Sequence, residues 1–252
     1  MSDFFPSDFG RGLTQRDFSA EPVGTRCAAF NLPLTPRDEW GDRIAEFDRE
    51  RMWPSDVRAD HNIESTNQGQ SNFCWAHSTT TAVMLSRAMQ GEAPVRLSAT
   101  SMACRIKRFQ NVGGNCTESL ACAIEHGICT LSDWPEGPGG IRREFDTPIA
   151  WETAKRFAVT DWLDFEPGNI DQVVTAMLSG LVLAGDFDWW QHSVSLVRLR
   201  LSKSGIKSRT PVEVRILNSW RDSWGERGEK WLDAGQSIPK WGAVAPVVVR
   251  GS

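Results

Sequence analysis

The 252-residue chain has no tyrosine, against twelve tryptophans, and composition alone gives no physical reason for that exchange. Its other absences exclude more. No apolar run approaches the length needed to cross a bilayer; the nearest candidate, residues 242–249, is far too short. The start, Met1-Ser2-Asp3-Phe4-Phe5-Pro6, has neither the cationic residues nor the apolar core of an export signal, so a cytoplasmic origin is expected. Positive charge is not in excess: 28 Lys and Arg stand against 32 Asp and Glu, a net charge of −4. That balance argues against generic binding to nucleic acid or to an anionic membrane. The six cysteines (Cys27, Cys74, Cys104, Cys116, Cys122, Cys129) lack the close pairs of a zinc cluster. Without an export signal they are expected to be reduced thiols, and no metal or cofactor is expected. No internal repeat or low-complexity segment occurs.

What is present suits a soluble globular protein: 40% hydrophobic and 24% charged residues, with length for one large domain or two lobes sharing a cleft. Residues 1–34 are rich in Pro, Gly, Ser, Asp and Phe without periodicity and read as an extended arm. Thr35 as N-cap and Pro36 at the first helical position open a short helix. Trp40, Ile44 and Phe47 share one of its faces, so it should dock on the body. Residues 52–55 break it. A helix is expected over 75–90, although Thr79, Thr80 and Thr81 are poor helix formers that only tertiary burial can hold. Further helices follow over 98–108, with Ser98 as N-cap, and over 117–126, with Gly127 as the stop. Gly137-Pro138-Gly139-Gly140 marks a change of lobe. Beyond it come a helix over 170–179, a buried strand over 181–184 and a strand opening at His192. In that strand Val197, Leu199 and Leu201 alternate with Arg198 and Arg200. A hairpin over 202–210 and a return strand over 212–217 follow, with two more strands around 231–232 and 247–249. The expected organisation is an arm with docking helix (1–51), a helical lobe (52–140) and a β lobe (141–252), an α+β fold.

The chain is organised around Gln68-Gly69-Gln70-Ser71-Asn72-Phe73-Cys74-Trp75-Ala76-His77-Ser78. A thiol at a helix N-terminus sits among free N–H groups and the positive dipole end, which favours its thiolate. Taken alone, a cysteine in a helix is more often a small buried side chain. Gln68 offers an amide donor within reach of a carbonyl under attack. His192 begins one strand and Asn218 ends its neighbour, so the carboxamide oxygen can hold the ring N–H while Trp220 keeps water away. His77, three residues after Cys74, shares its helix face; a hydrogen-bonded core histidine is the expectation, a competing base the alternative. Arg198, Arg200, Lys203, Lys207 and Arg209 read as a solvated hairpin. Cys116, Cys122 and Cys129 read as ordinary thiols around the third helix.

Gln68, Cys74-Trp75-Ala76, Gly113-Gly114, His192, Asn218-Ser219-Trp220 and Trp224-Gly225-Glu226-Arg227-Gly228 occur in an order that resembles the papain family of cysteine peptidases. The resemblance runs from about Trp53 to the C-terminus. It implies two lobes, one helical and one a β-barrel-like antiparallel sheet, with the active site in the cleft between them. It also implies Cys74 as nucleophile, His192 as base and acid, Asn218 as its orienter, and Gln68 in the oxyanion hole. Substrate contacts would come from Gly113, Gly114, Asn72, Trp220 and Trp224, with a peptide or protein as substrate. The departures are specific. Ser71 and Asn111 stand where the family usually has two half-cystines, and Cys104 has no partner cysteine. Asn72-Phe73 replaces the usual Gly-Ser and should narrow the first subsite. The arm lacks the length and helical pattern of the common inhibitory propeptide, and two roles stay open for it: a pro-segment or a docking element. The second belongs to the alternative reading of the chain, a non-proteolytic papain-derived component of a larger assembly such as a bacteriophage particle, virion-associated through residues 1–51.

Overall fold

A computed structural model describes residues 4, 6–203, 205, 211–233 and 235–249. The strand β1 (Ala28–Ala29) lies in the N-terminal arm, and α1 (Trp40–Glu50) follows a single 3-10 turn, Arg37–Glu39. Pro36, not Thr35, flanks that turn, because the chain enters it extended at Pro36. Trp40, Ile44 and Phe47 are buried, as the 3.6-residue spacing requires. Pro54 ends nothing: it is the first residue of α2 (Pro54–Asp60), where its missing N–H costs no hydrogen bond, and Asp56 accepts from the Trp53 N–H.

The first lobe is built on α3 (Cys74–Met89), α4 (Ala99–Lys107) and α5 (Cys116–His126). Asn115 caps α5 by accepting from the Glu118 N–H, and Glu118 reaches back to the Asn115 N–H. The helix α3 is the centre of the molecule, touching α2, α4 and α5 on one side and the sheet on the other. Its threonines are buried between these layers, and the Thr79 hydroxyl bonds Ser119 at 2.6 Å. Packing, not propensity, therefore holds this turn.

After α6 (Pro148–Ala154) come β2 (Asp161–Phe165), α7 (Ile170–Leu178), β3 (Leu183–Phe187), β4 (His192–Leu201), β5 (Val212–Leu217), β6 (Glu229–Leu232) and β7 (Ala243–Val247). The strands form one sheet in the order β1-β2-β7-β3-β4-β5-β6, with β1 parallel to β2 and the other pairs antiparallel. The strand expected over 181–184 begins two residues later, because the turn after α7 occupies Gly180–Leu181. The last strand lies at Ala243–Val247, earlier than the Val247–Val249 expectation. Val197 and Leu199 are buried while Leu201, the last residue of β4, is exposed; a register shift between Leu196 and Arg198 lets both Leu196 and Val197 be buried. Arg198 and Arg200 are not simply solvated: they pair with Asp48 and Asp56, and with Glu213. Most of the 202–210 hairpin, including Lys207 and Arg209, lies outside the described residues.

Two large apolar cores flank α3. One gathers Trp75, Leu97, Leu120 and Trp134 among the helices; the other gathers Trp40, Trp53, Phe187 and Trp220 around β3–β5. Arg58, 3% exposed, bonds both Asp222 and Glu229 and fastens α2 to the sheet edge. Among the described residues no helix is long and apolar enough to cross a membrane.

Candidate active site

Cys74 opens α3 and His192 opens β4, and these two elements pack directly. Ser78, one turn into α3, bonds the Ser193 hydroxyl at 2.7 Å, and its carbonyl accepts from Ser195 at 2.8 Å. Those bonds fix the sliding register of helix on strand. In this arrangement the backbone N–H of Ser193 favours the Cys74 thiolate. The β4–β5 ladder ends at Ser195 opposite Leu217, and the side chain of Asn218, just past the end of β5, reaches diagonally to His192. His192 Nε2–H donates to Asn218 Oδ1 at 2.8 Å, which leaves the Nδ1 lone pair without a partner. Asn218 Oδ1 also accepts from the Ser219 N–H at 2.8 Å, so the oxygen is doubly held.

Trp220 lies against the His192 ring with centroids 4.7 Å apart, and Trp190 lies against it at 4.6 Å. Trp190 escaped the sequence reading because it sits in the β3–β4 turn, where no periodicity marks it. Its proximity to His192 in sequence, two residues away, was the available signal. Trp224 packs behind both, against Trp190 and Trp220.

The loop before Cys74 is tied to the opposite lobe. Gln68 N–H donates to Ser219 O at 3.0 Å, its Oε1 accepts from the Ser219 hydroxyl, and Asn67 bridges Trp220. Its Nε2 is thereby aimed back toward the cleft. Asn111, which stands in place of a half-cystine, is held to the residue after Ser71 by hydrogen bonds: its Oδ1 accepts from the Asn72 N–H at 2.7 Å, and its O from Asn72 Nδ2 at 3.1 Å. All six cysteines are free thiols.

The cleft is filled by the arm. Phe4 packs edge-on against Trp189 and Trp190, and its carbonyl accepts from Trp190 Nε1. Phe9 stacks on Trp220 with centroids 5.4 Å apart. Gly10 N–H donates to Gly69 O at 2.8 Å, and Gly10 O accepts from Gln68 Nε2 at 2.7 Å. Gly12 N–H points at Cys74 Sγ, 3.4 Å away. Gly12 O accepts from Gly114 N–H, Thr14 N–H donates to Gly114 O, and Leu13 pairs with Gly114 in parallel. Glycine is required at both arm positions. A Cβ on Gly10 would fall 2.2 Å from Ser71 O, and one on Gly12 2.0 Å from Asn72 O. Gly113 is equally confined, since its Cβ would meet Gly12 O at 2.5 Å.

Cys74, Gln68 and His192 have no exposed surface under this cover. Burial pushes the Cys74 thiol up to about 11, against the lowering expected at a helix N-terminus; the N–H groups of Gly12, Ser193 and Trp75 offset it only in part. Burial also pushes His192 down to about 3, despite the Asn218 bond that favours its cation. Thiol and imidazole are therefore both neutral under the arm, and no hydrogen bond joins them, since His192 Nδ1 has no partner. His77 is buried and pushed down to about 3 by burial, with the His192 and Arg96 charges adding to it. The expectation that it is hydrogen-bonded fails: neither ring nitrogen has a partner, because its neighbours on α3 turn their hydroxyls elsewhere. Cys116 is no ordinary thiol either; its Sγ reaches Asp186 and Ser193, both at 3.1 Å. Among the described residues no cluster of His, Cys, Asp and Glu could hold a metal ion.

No family model matches the sequence, and no curated protein matches it. Solved structures do. Xylellain, a cysteine protease from Xylella fastidiosa, superposes with a TM-score of 0.61 at 14% identity over 96% of this chain and 92% of its own. Digestive procathepsin L 3 of the Tenebrio molitor larval midgut gives 0.56 at 19% identity over 73% of this chain. The ragweed pollen cysteine protease Amb a 11, in its proform, gives 0.58 at 16% identity over 77%. This chain spans 66% of the length of each of those last two. What the three share with it is architecture: this chain has the fold of the papain-like cysteine proteases.

Proposed function

We propose that the chain is a cysteine peptidase held latent by its own N-terminal arm, with Cys74, His192 and Asn218 as its triad and Gln68 as an oxyanion donor. The observation that carries this reading is the course of residues 9–14 through the cleft, with Gly12 N–H on the sulfur and Gly10 O on Gln68. A carbonyl oxygen held by Gln68 Nε2 occupies the position an oxyanion would take, which argues for that role.

The arm is bound unproductively. Attack requires one carbonyl group whose carbon meets the sulfur while its oxygen meets the donors. Here the oxygen belongs to Gly10, whereas the sulfur faces the next peptide group, through Gly12 N–H. The bond nearest the thiol thus presents a donor instead of an electrophile. Two of the structural neighbours are described as pro-enzymes, which accords with latency.

With the arm displaced, water re-enters and the burial that keeps both groups neutral is lifted. His192 Nδ1 takes the thiol proton, and the thiolate attacks the peptide carbonyl. The new C–S bond moves an electron pair onto oxygen, which Gln68 Nε2–H and the Cys74 N–H receive. The imidazolium gives its proton to the leaving nitrogen as the C–N bond breaks. Water then attacks the thioester, His192 takes its proton, and the C–S bond breaks to release the acid. Asn218 holds the ring in the tautomer this requires, and Trp190 and Trp220 exclude water from that bond. Gly113, Gly114 and Asn72 line the path of the peptide backbone, and Trp220 and Trp224 face the other end of the cleft. The three-part division at residues 51 and 140 remains the reading for the organisation of the chain. The alternative, a docking component of a larger assembly, draws no support from the comparisons.

The test is covalent trapping. Full-length Gly12→Val, in which the arm cannot stay seated, is incubated with an epoxysuccinyl peptide and mapped by mass spectrometry. One adduct on Cys74 is expected, together with hydrolysis of a fluorogenic protein substrate, and both should vanish in the His192→Ala background. A folded Gly12→Val protein that forms no adduct and cleaves nothing overturns the reading.

A further inference from the structure

Two residues past Thr14, the arm sends Arg16 into the body of the protein. The side chain is 6% exposed. Its Nη1 donates to both oxygens of Asp164 at 2.9 and 2.8 Å, Nε donates to Glu21 O at 3.0 Å, and Nη2 donates to Pro22 O at 2.7 Å. Asp164, on β2, also accepts from the Gly24 N–H and is 2% exposed. Arg16 and Phe18 close a pocket whose far wall is Asn115, Cys116 and Asp186, and about 10 Å³ of it is left unfilled. Asn115 follows Gly114 directly, so the pocket adjoins the backbone contact that the arm makes beside the sulfur.

The two acids belong to the body, not to the arm. Asp164 pairs with Val244 on β7, and Asp186 on β3 donates its N–H to Gly242 O, so they flank the same strand. Every other partner of the guanidinium belongs to the arm itself: the Glu21 and Pro22 carbonyls, the Glu21 carboxylate at 3.8 Å and the Phe18 ring at 4.8 Å. Displacing the arm therefore leaves a recess with Asp164 bereft of its cation and Asp186 beside it. A buried carboxylate without a counter-charge is strongly disfavoured, and the recess has the depth, the sign and the two-oxygen face that a guanidinium matches. Burial lifts Asp186 to about 6, opposed first by hydrogen bonds from Ser193 and Cys116 and then by the Arg16 charge, so a cation in the recess favours its carboxylate.

We propose that the pocket filled by Arg16 in the latent chain is a specificity subsite for a cationic side chain, so that the opened enzyme selects peptides carrying arginine on the Gly114 side of the cleaved bond. The proposal rests on the peptidase reading for its functional meaning, but the pocket can be probed without catalysis. Arginine is favoured over lysine because its planar fork can span both oxygens of Asp164, as Arg16 does, whereas an ammonium meets them as a point charge.

Two experiments separate the pocket from the activity. In the first, full-length Arg16→Ala, and Arg16→Met as a variant that keeps the stem, are melted with tens of millimolar ethylguanidinium chloride or sodium chloride. Ethylguanidinium should raise the melting temperature of both variants, and the rise should vanish when Asp164→Asn is added. No rise, or an equal rise without Asp164, overturns the proposal. In the second, full-length Gly12→Val receives fluorogenic peptides that differ only by arginine or its neutral isostere citrulline at each position on that side of the cleaved bond. At one position kcat/KM should favour arginine by on the order of tenfold to a hundredfold, the range of a charge-assisted hydrogen bond, and Asp164→Asn should abolish the preference. Equal cleavage of both series overturns the proposal and leaves the peptidase reading standing. Guanidinium rescue in the first experiment with no cleavage of any peptide does the reverse: the cationic pocket stands and the peptidase reading falls.

Discussion

Gly12→Ala tests the closed cleft most directly. A Cβ at this position would lie 2.0 Å from Asn72 O and 2.5 Å from Asn72 Cβ. Neither atom can give way cheaply, since Asn72 is bonded through its own N–H and side chain to Asn111. The arm must move instead, breaking the Gly12 N–H contact to sulfur and the Gly114 N–H bond to Gly12 O, and straining the Thr14–Gly114 bond. At about 1 kcal/mol net for each hydrogen bond, closure weakens by about 2–3 kcal/mol. At 1.4 kcal/mol per tenfold, the open fraction rises about 30- to 150-fold. A sulfur with no exposed surface reacts only through opening, so alkylation of Cys74 by iodoacetamide should accelerate by that factor. The parent protein labelled under the same conditions is the reference, because Cys27 lies on the arm itself, within the field of Arg16 and Asp164. If Cys74 in the folded Gly12→Ala protein labels no faster than in the parent, the arm does not gate the thiol.

Three further outcomes follow from groups away from the arm. His192 and His77 are both held near 3 by burial, so the stability they contribute is complete above about pH 6.5 and is lost as pH falls toward 3. Substituting His77→Leu should flatten the fall of stability by about 1 kcal/mol per pH unit in urea titrations between pH 6 and 4; an unchanged slope refutes the neutral buried ring. Arg58→Met removes one of the two cations on the buried Glu229, with Arg215 remaining, and should cost about 1.5–3 kcal/mol by the same method, where a surface pair would cost under 1. Asn111→Ala removes the bond to the Asn72 N–H and should cost about 1 kcal/mol, with the melting temperature of the parent and the variant alike unaffected by added reductant.

Much of the fold can be read from the sequence wherever one face is apolar and the other is wet. Trp40, Ile44 and Phe47 mark α1, and the Val212–Leu217 alternation marks β5. The reading fails where a charge faces inward. In β2 the buried residue Asp164 interrupts the apolar pattern, because its partner is Arg16, far away in the chain. It fails again at Pro54: α1 already ends at Glu50, and the proline read as part of a break is the first residue of α2. The residues gathered at the site were legible from their types and order, but their ionisation was not. Cys74 carries the local signature of a depressed pKa, and it is burial by a segment sixty residues upstream that reverses the sign. The arm's course left one trace: two glycines two apart, Gly10 and Gly12, which in an extended segment mark a close backbone approach along one face.

The arm is anchored twice, in the cleft through residues 9–16 and at the sheet edge through the parallel pairing of Ala28 and Ala29 with β2. Leaving the cleft therefore does not mean leaving the molecule. A dozen or so residues of leash hold the plug at a local concentration in the millimolar range, so closure after each excursion is intramolecular and fast. A single nick in that leash, between residues 16 and 28, would turn a reversible stopper into a dissociable peptide, and dilution alone would then make the unplugged state permanent.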